Sequence, residues 1–526
     1  MLLNALLSPK REIHFMKPIE KIILYFLALL AFVSFAWWQQ DDFYIHLQYA
    51  KHLLHDREWS FNQGAPAYGT TSPLWVLLVA LGGVTGLKLE FVAKTLSIGF
   101  AVMTVVLAAR HLSLFKYRVF GMLCLVALMA NHWFRLAAGS GMEATLAAFL
   151  ALCIGLQLLE TPAPSVWRAA RLGVLTGLLM LTRPELFVLP VFFLIAKRAQ
   201  WRVIPVYLLG LAVSLAPWFG FAWYTFGTCV PNTVIIKSVL VASNVPLLHA
   251  GFVSALRLLV FYGAANAVEV AGILMLIWLF LTGAGGRANL APSQNASDRR
   301  ADREIPWPVW GLLLIIPFVY FVNQTRGGEA IAYRYAAPAL PIQIFLGWLG
   351  LEAVYERLKN QPVRKILIVG VAAMMLVSNV TLSILHIPSL KRSVQYLEYV
   401  LADYGRWLKL NTRPEEVVAC YDVGAIAYYS DRPVLDLIGL NSVEVIRFEA
   451  GRVQDIVKSA AIREFKPAYL VTRFPISPDI YPPVMPPYET VLTRSVQAYR
   501  FELSAIFNTP SSCDVNLLRL HWPNSL

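Results

Sequence analysis

Apolar residues run along this chain in long unbroken blocks, not in the alternation of a half-buried strand or the one-sided stripe of a surface helix. Blocks near 20–38, 92–109, 119–137, 141–159, 172–183, 187–196, 203–226, 265–283, 307–323, 335–352 and 366–386 are long enough to cross, or nearly cross, a hydrocarbon core about 30 Å thick. The pattern predicts a polytopic α-helical membrane protein with about 11 transmembrane helices. Two blocks, 172–183 and 187–196, are short for a crossing and are read as a helical hairpin around Arg183. The block 73–87, which opens on Ser72-Pro73-Leu74-Trp75, is read as a re-entrant or interfacial helix.

Charge sets that last reading. With 73–87 not crossing, Arg110, Lys116, Arg118, Arg168, Arg171, Lys197, Arg198, Arg202, the segment from Arg287 to Arg303 and the one from Arg357 to Lys365 all fall on one side. By the positive-inside rule that side is the cytoplasm, together with the N-terminus and its Lys10, Arg11, Lys17 and Lys21. The opposite side then collects the loop 39–91, the turn 138–141, Thr182-Arg183-Pro184-Glu185, the stretch 227–264, the loop 324–334 and everything after about 387. The first block is too long for the core of a cleavable signal peptide, and no small-x-small site follows it before Trp37.

Beyond the last block the pattern changes. Val417 to Ala419, Ala425 to Tyr429 and Ala468 to Thr472 read as strands, while Val394, Leu397, Val400, Leu401 and Leu408 keep a helical spacing. The chain therefore divides into a transmembrane module over 1–386, with its first outer loop at 39–91, and a small soluble extracytoplasmic α/β domain over 387–526. Between the later spans, 284–306 has the composition of a flexible polar linker.

Composition agrees with the pattern. The 526 residues are 57% hydrophobic and 15% charged, more apolar surface than one water-soluble core could hide. Pairs such as Trp37-Trp38 and Trp218-Phe219 stand where amphipathic rings anchor at headgroup depth. The net charge of +13 is dispersed among short loops and forms no basic stripe with interleaved aromatics, so nucleic acid is excluded as a partner. The five cysteines form no CxxC pair and no Cys/His metal spacing; Cys420 and Cys513 could pair in an oxidising compartment.

The unusual chemistry lies just after the first block. Asp41 and Asp42 follow Trp38 with only two glutamines between, where carboxylates are costly at membrane depth. They either cap the end of the span or act together: one as general base, the other orienting it or helping to hold a divalent cation. No cofactor is required with certainty, and that cation is the one candidate, with Asp41 and Asp42 as its ligands. Phe43 to Leu53 follow with helical spacing, then Phe61-Asn62-Gln63-Gly64 and Tyr68-Gly69-Thr70-Thr71-Ser72-Pro73-Leu74-Trp75.

This order, a paired Asp after the first helix, an aromatic amphipathic helix, an Asn-x-Gly turn and Gly-Thr-Thr-Ser-Pro-Leu-Trp, resembles the membrane glycosyltransferases of the GT-C fold. It is most similar to the group containing the mycobacterial cell-wall arabinofuranosyltransferases. The likeness continues in Ser140-Gly141-Met142-Glu143, Thr182-Arg183-Pro184-Glu185, Gly227 to Lys237 with Pro231-Asn232-Thr233, Arg334-Tyr335, Tyr421-Asp422-Val423-Gly424 and Leu435-Asp436-Leu437-Ile438-Gly439-Leu440. Gln48 stands where a basic residue is usual, and Ala65 where an acid is common.

The resemblance implies a multi-pass protein of the bacterial inner membrane. It would take sugar from a polyprenyl-phosphate carrier and pass it to a glycan, lipid or protein acceptor, with Asp41 and Asp42 supplying the base. A nucleotide-sugar site is not visible, since no glycine-rich phosphate loop follows a strand. Cations must meet the departing phosphate, and Arg334, Lys237, Arg183 and Arg326 are the candidates at the outer face. Each has a plainer alternative: Arg183 can pair with Glu185 or Glu143, Lys237 can snorkel to headgroups, and Arg326 can be a solvated loop charge. Tyr44, Tyr68, Glu143, Glu185, Asn232 and Tyr333 are expected to line the substrate cavity. His46 and His132 read as packing residues, and Asp422, Asp431 and Asp436 as turn formers that could also meet a glycan. The competing function is a lipid-carrier flippase or transporter; against it, no internal repeat relates the two halves.

Overall fold

A computed structural model describes residues 16–160, 165–197, 202–236, 266–278, 337–442, 444–445, 460–472, 486–497 and 512–522. The expected span 307–323, the polar linker 284–306, and Lys237, Arg326, Tyr333 and Arg334 lie outside these residues.

Most apolar blocks appear as helices at the expected places: Pro18–Val33, Leu89–Arg110, Ala144–Glu160, Ile204–Phe226, Leu340–Arg357 and Gln361–Tyr396. Among the described residues, three helical stretches are long and apolar enough to cross a membrane: Leu89–Leu114, Ile204–Phe226 and Gln361–Asn411. Arg118–Ala130 and His132–Gly139 make a fourth if taken as one span bent by 51°. That break falls inside the expected span 119–137, at Asn131, whose side chain accepts from the Phe134 amide and so starts a new helix. Ile22, Leu81, Val213 and Ile366 are each more than 60% exposed on the helix surfaces. An apolar belt of this kind is stable against lipid and costly against water.

Pro73–Gly83 is an 11-residue helix, roughly 16 Å long and half a crossing. The hairpin around Arg183 has a longer first arm than the apolar block suggested. That arm, Val166–Thr182, begins six residues earlier because Ser165 caps it by accepting from the Arg168 amide. A 3-10 turn, Pro184–Phe187, then leads into Val188–Lys197.

The C-terminal portion carries a five-stranded mixed sheet in the order β4-β3-β5-β7-β6: β3 Val418–Cys420, β4 Val434–Asp436, β5 Tyr469–Thr472, β6 Tyr488–Gln497 and β7 Ser512–Leu520. β3 runs parallel to both β4 and β5, while β7 pairs antiparallel with β5 and β6. Two expectations need correction. Residues 425–429, read as a strand from their branched and aromatic side chains, lie in the helix Val423–Ser430. The boundary drawn at 386/387 falls inside the continuous helix Gln361–Tyr396, which passes through a π-helical turn, Leu397–Ala402, into Asp403–Asn411.

The first loop docks on this sheet. Its helix, Asp41–His55, packs against Val423–Ser430, and the small hairpin β1 Ser60–Asn62 and β2 Ala65–Pro66 reaches the edge strand β4. There Asn62 makes a reciprocal pair: its side-chain N–H donates to the Val434 carbonyl (2.9 Å), and its side-chain oxygen accepts from the Val434 amide (2.9 Å).

Candidate active site

Asp41 is the first residue of the loop helix, and its carboxylate faces the start of the helix Val423–Ser430. Oδ2 accepts from the Gly424 amide (2.8 Å) and Oδ1 from the Ala425 amide (2.8 Å). Those N–H groups have no partner inside their own helix, so a carboxylate there meets both unpaired donors and the positive end of the helix dipole. Only glycine fits at 424: a Cβ there would lie 2.1 Å from the Asp41 carbonyl oxygen. Burial, followed by the neighbouring Asp422, pushes the Asp41 carboxyl up to about 7, although the two amides pull it down. Asp422 in turn accepts from the Tyr396 hydroxyl (2.7 Å), and Asp42 stands half-buried beside Asp41. Among the described residues, no three His, Cys, Asp or Glu side chains are grouped to hold a metal, so a cation at Asp41 and Asp42 would need ligands from elsewhere.

A buried charge network joins the loop helix, through His46, to the hairpin around Arg183. Glu143 (0% exposed) sits 2.9 Å from Nη2 of Arg183 (3% exposed), whose Nη1 donates to Glu185 at 3.2 Å. His46 Nδ1 is 3.6 Å from the same Glu143 carboxylate. Arg183 therefore has both of the carboxylate neighbours that its plainer reading required.

The remaining motifs converge on the first loop. The Ser72 hydroxyl donates to the Thr182 carbonyl (2.8 Å), which ties Gly-Thr-Thr-Ser-Pro to Thr-Arg-Pro-Glu. The Asn232 amide donates to the Tyr68 carbonyl (2.8 Å), the Thr233 hydroxyl donates to the Gly69 carbonyl, and the Trp218 indole N–H donates to the Tyr68 hydroxyl (2.7 Å). Tyr49 donates to Asn441 (2.9 Å) and accepts from the Gly69 amide (3.0 Å). A Cβ at Gly69 would lie 2.1 Å from Asn441 Oδ1. Tyr44 meets the Tyr429 hydroxyl (3.1 Å) and accepts from Gln39, which also donates to Glu398 (2.9 Å). Burial and then Tyr429 push the Tyr44 phenol up, which keeps it neutral.

Several expected residues carry packing roles. Gln48 is buried and donates to the Phe61 carbonyl (3.2 Å), so it ties the loop helix to β1. Asp436 accepts from the Ile438, Gly439 and Asn441 amides, the pattern of a turn former, and Asp431 is paired with Lys51 and Lys409. His132 bonds Ser383 and His386, both at 3.0 Å, as a packing residue does.

Sequence reasoning missed Lys94. Its ammonium donates to the Trp38 and Gly139 carbonyls and lies 5.3 Å from the Phe43 ring centre, so it ties the end of the first span to Ser140-Gly141 and the loop helix. The available signal was a single lysine one turn inside the apolar block 92–109. Glu398 was also missed, because nothing local distinguishes it from a surface acid.

This architecture is the GT-C membrane glycosyltransferase fold, as its likeness to solved structures shows. ArnT from Cupriavidus metallidurans, bound to undecaprenyl phosphate, aligns with a TM-score of 0.57 at 13% identity, over 95% of this chain and 98% of that one. The Archaeoglobus fulgidus oligosaccharyltransferase tethered with an acceptor peptide aligns at 0.52 and 12% identity, over 87% of this chain and 69% of that one. The arabinofuranosyltransferase AftD from Mycobacteria aligns at 0.50 and 16% identity, over 98% of this chain and 41% of that one. A family model described as Domain of unknown function (DUF8728) matches residues 389–512. No curated protein matches the sequence.

Proposed function

We propose that this chain is a glycosyltransferase that moves a sugar from a polyprenyl-phosphate donor to a cell-envelope glycan, lipid or protein, with Asp41 as general base and Asp42 as its partner carboxylate. The observation that carries the reading is the Asp41 carboxyl, which is fixed by two backbone amides and pushed up to about 7. A base near that value is ionised enough to act at neutral pH and basic enough to accept a hydroxyl proton. The acceptor hydroxyl gives its proton to Asp41 as its oxygen bonds to the anomeric carbon. The bond from that carbon to the phosphate oxygen breaks, and polyprenyl phosphate leaves with the electron pair.

The charge on that phosphate grows in the transition state, so cations close to it accelerate the step. Arg334 and Lys237, with Arg326 in reserve, are assigned this role, while Arg183 is paired with Glu143 and Glu185. Undecaprenyl phosphate bound to ArnT, which shares the fold, supports a donor of this class. The bacterial inner membrane is the location that the resemblance implies, and loop charge supports an orientation with the N-terminus cytoplasmic and the sheet-bearing part outside.

The test incubates purified protein in lipid nanodiscs with a panel of polyprenyl-phosphate sugars and measures release of the polyprenyl phosphate. Wild type should turn over at least one donor, and Asp41→Asn should lose on the order of 10²-fold or more. Equal turnover in the two proteins would remove Asp41 from the mechanism.

A further inference from the structure

One cavity has no part among the roles assigned above. It is a cleft of about 640 Å³, and its walls include Trp37, Lys391, Glu398, Tyr399, Asp403 and Arg406. The volume lies in the range that holds small ligands. We propose that this cleft is the acceptor subsite and that it takes an uncharged, hydroxyl-rich saccharide; the assignment rests on the glycosyltransferase reading above.

Charge argues first. Lys391 and Arg406 face Glu398 and Asp403, so the formal charge of the walls cancels, and a phosphate would meet acids as well as bases. Arg406 is already shared between Glu398 (3.6 Å) and the face of the Tyr429 ring (4.5 Å), and Asp403 bonds Arg494 (3.0 Å). Such an array of mixed donors and acceptors suits hydroxyl groups, each of which both donates and accepts.

The aromatic walls argue second. Trp37, whose indole N–H donates to the Ser34 carbonyl (3.1 Å) and whose ring stacks on Phe35 (6.3 Å), is still 40% exposed, and Tyr399 is 69% exposed. Rings that are apolar on the face and wet at the edge fit the C–H faces of a sugar. Third, Glu398 and Tyr399 sit in the π-helical turn Leu397–Ala402, a rare irregularity that is frequent at functional sites.

The cleft is also wired to the site. Glu398 accepts from Gln39, which donates to Tyr44 three residues after Asp41. Immediately before the π segment, Tyr396 holds Asp422, next to the amides that fix Asp41. These bonds connect the wall against which the saccharide would lie to the loop helix that Asp41 begins.

Saturation-transfer NMR on the full chain in nanodiscs tests this, with the methyl glycosides of mannobiose, galactobiose and arabinofuranobiose as probes. At least one probe should show saturation transfer to wild type and equally to Asp41→Asn, which leaves the cleft intact. Trp37→Ala combined with Tyr399→Ala should weaken binding tenfold or more, while Trp37→Phe keeps it. Three results would overturn the proposal: no probe binding, binding unchanged in the double variant with the thermal midpoint preserved, or displacement of the probe by millimolar inorganic phosphate. The glycosyltransferase reading fails separately, if wild type binds the saccharide here but releases polyprenyl phosphate from no donor.

Discussion

Asp41 departs from the ordinary behaviour of an aspartate, and its chemistry follows from what surrounds it. The unfolded chain ionises this carboxyl near pH 4, whereas the folded protein keeps its proton to about 7. Between those values the folded state binds more protons, so this group lowers stability as pH rises from about 4 to about 7, with no further loss above. Asp41→Asn should flatten that part of the stability curve, measured as thermal midpoint against pH in nanodiscs. The rate of sugar transfer should run the opposite way, rising as pH passes through about 7; an inflection near 4 would mean that another group is the base. Arg183 gives a second comparison at this scale. Removing one partner of a buried charge pair costs about 3–5 kcal/mol, whereas a partly exposed pair contributes about 1 kcal/mol or less. Arg183→Met should therefore lower the thermal midpoint strongly, and Glu185→Gln, at the 22% exposed arm of the network, only slightly.

The short helix Val423–Ser430 shows how an element can be decided from outside itself. Its Ile426, Tyr428 and Tyr429 suit a strand, and eight residues form a marginal helix in isolation. The carboxylate of Asp41, 383 positions earlier, caps it, and no local window contains that partner. Gly424→Ala forces backbone against backbone at 2.1 Å. We expect it to cost about 1–3 kcal/mol and to reduce transfer nearly as much as Asp41→Asn, because both amides leave the carboxylate. Comparing detergent-melt midpoints and turnover of the two variants checks this. The hairpin β1-β2 is the complementary case. Its Asn-x-Gly turn was legible, since Gly64 has φ +75°, but the docking of Asn62 onto Val434 was not, because edge-strand pairing leaves no mark in the partner's sequence.

At the scale of the molecule, the positions of the described helices follow the apolar blocks, while the union of the polar motifs follows from packing. The exposed belt that includes Ile22, Leu81, Val213 and Ile366 needs lipid around it. The loop-charge reading puts the first loop and the linker on opposite sides of that belt. Cysteines introduced at Asn62 and at Arg300, the latter outside the described residues, should label with an impermeant maleimide from opposite faces of sealed vesicles. Labelling from one face would require 73–87 to cross after all. Motif patches at 41, 69–72, 182, 232, 424 and 441, most of them tens to hundreds of residues apart, meet around a single loop. Their order along the chain was visible, whereas their mutual contacts were not.

By itself the sequence determined the membrane character, the helical blocks and the place of the paired acids. These depend on local hydropathy and on charge that no packing can hide. Only the tertiary structure decided that Asp41 caps a distant helix, that Arg183 is shared by Glu143 and Glu185, that Lys94 closes two carbonyls, and that a helix replaces the strand at 425–429. Each of these rests on burial and on hydrogen-bond partners remote in the chain, and a partner brought close by folding leaves no periodicity in the sequence.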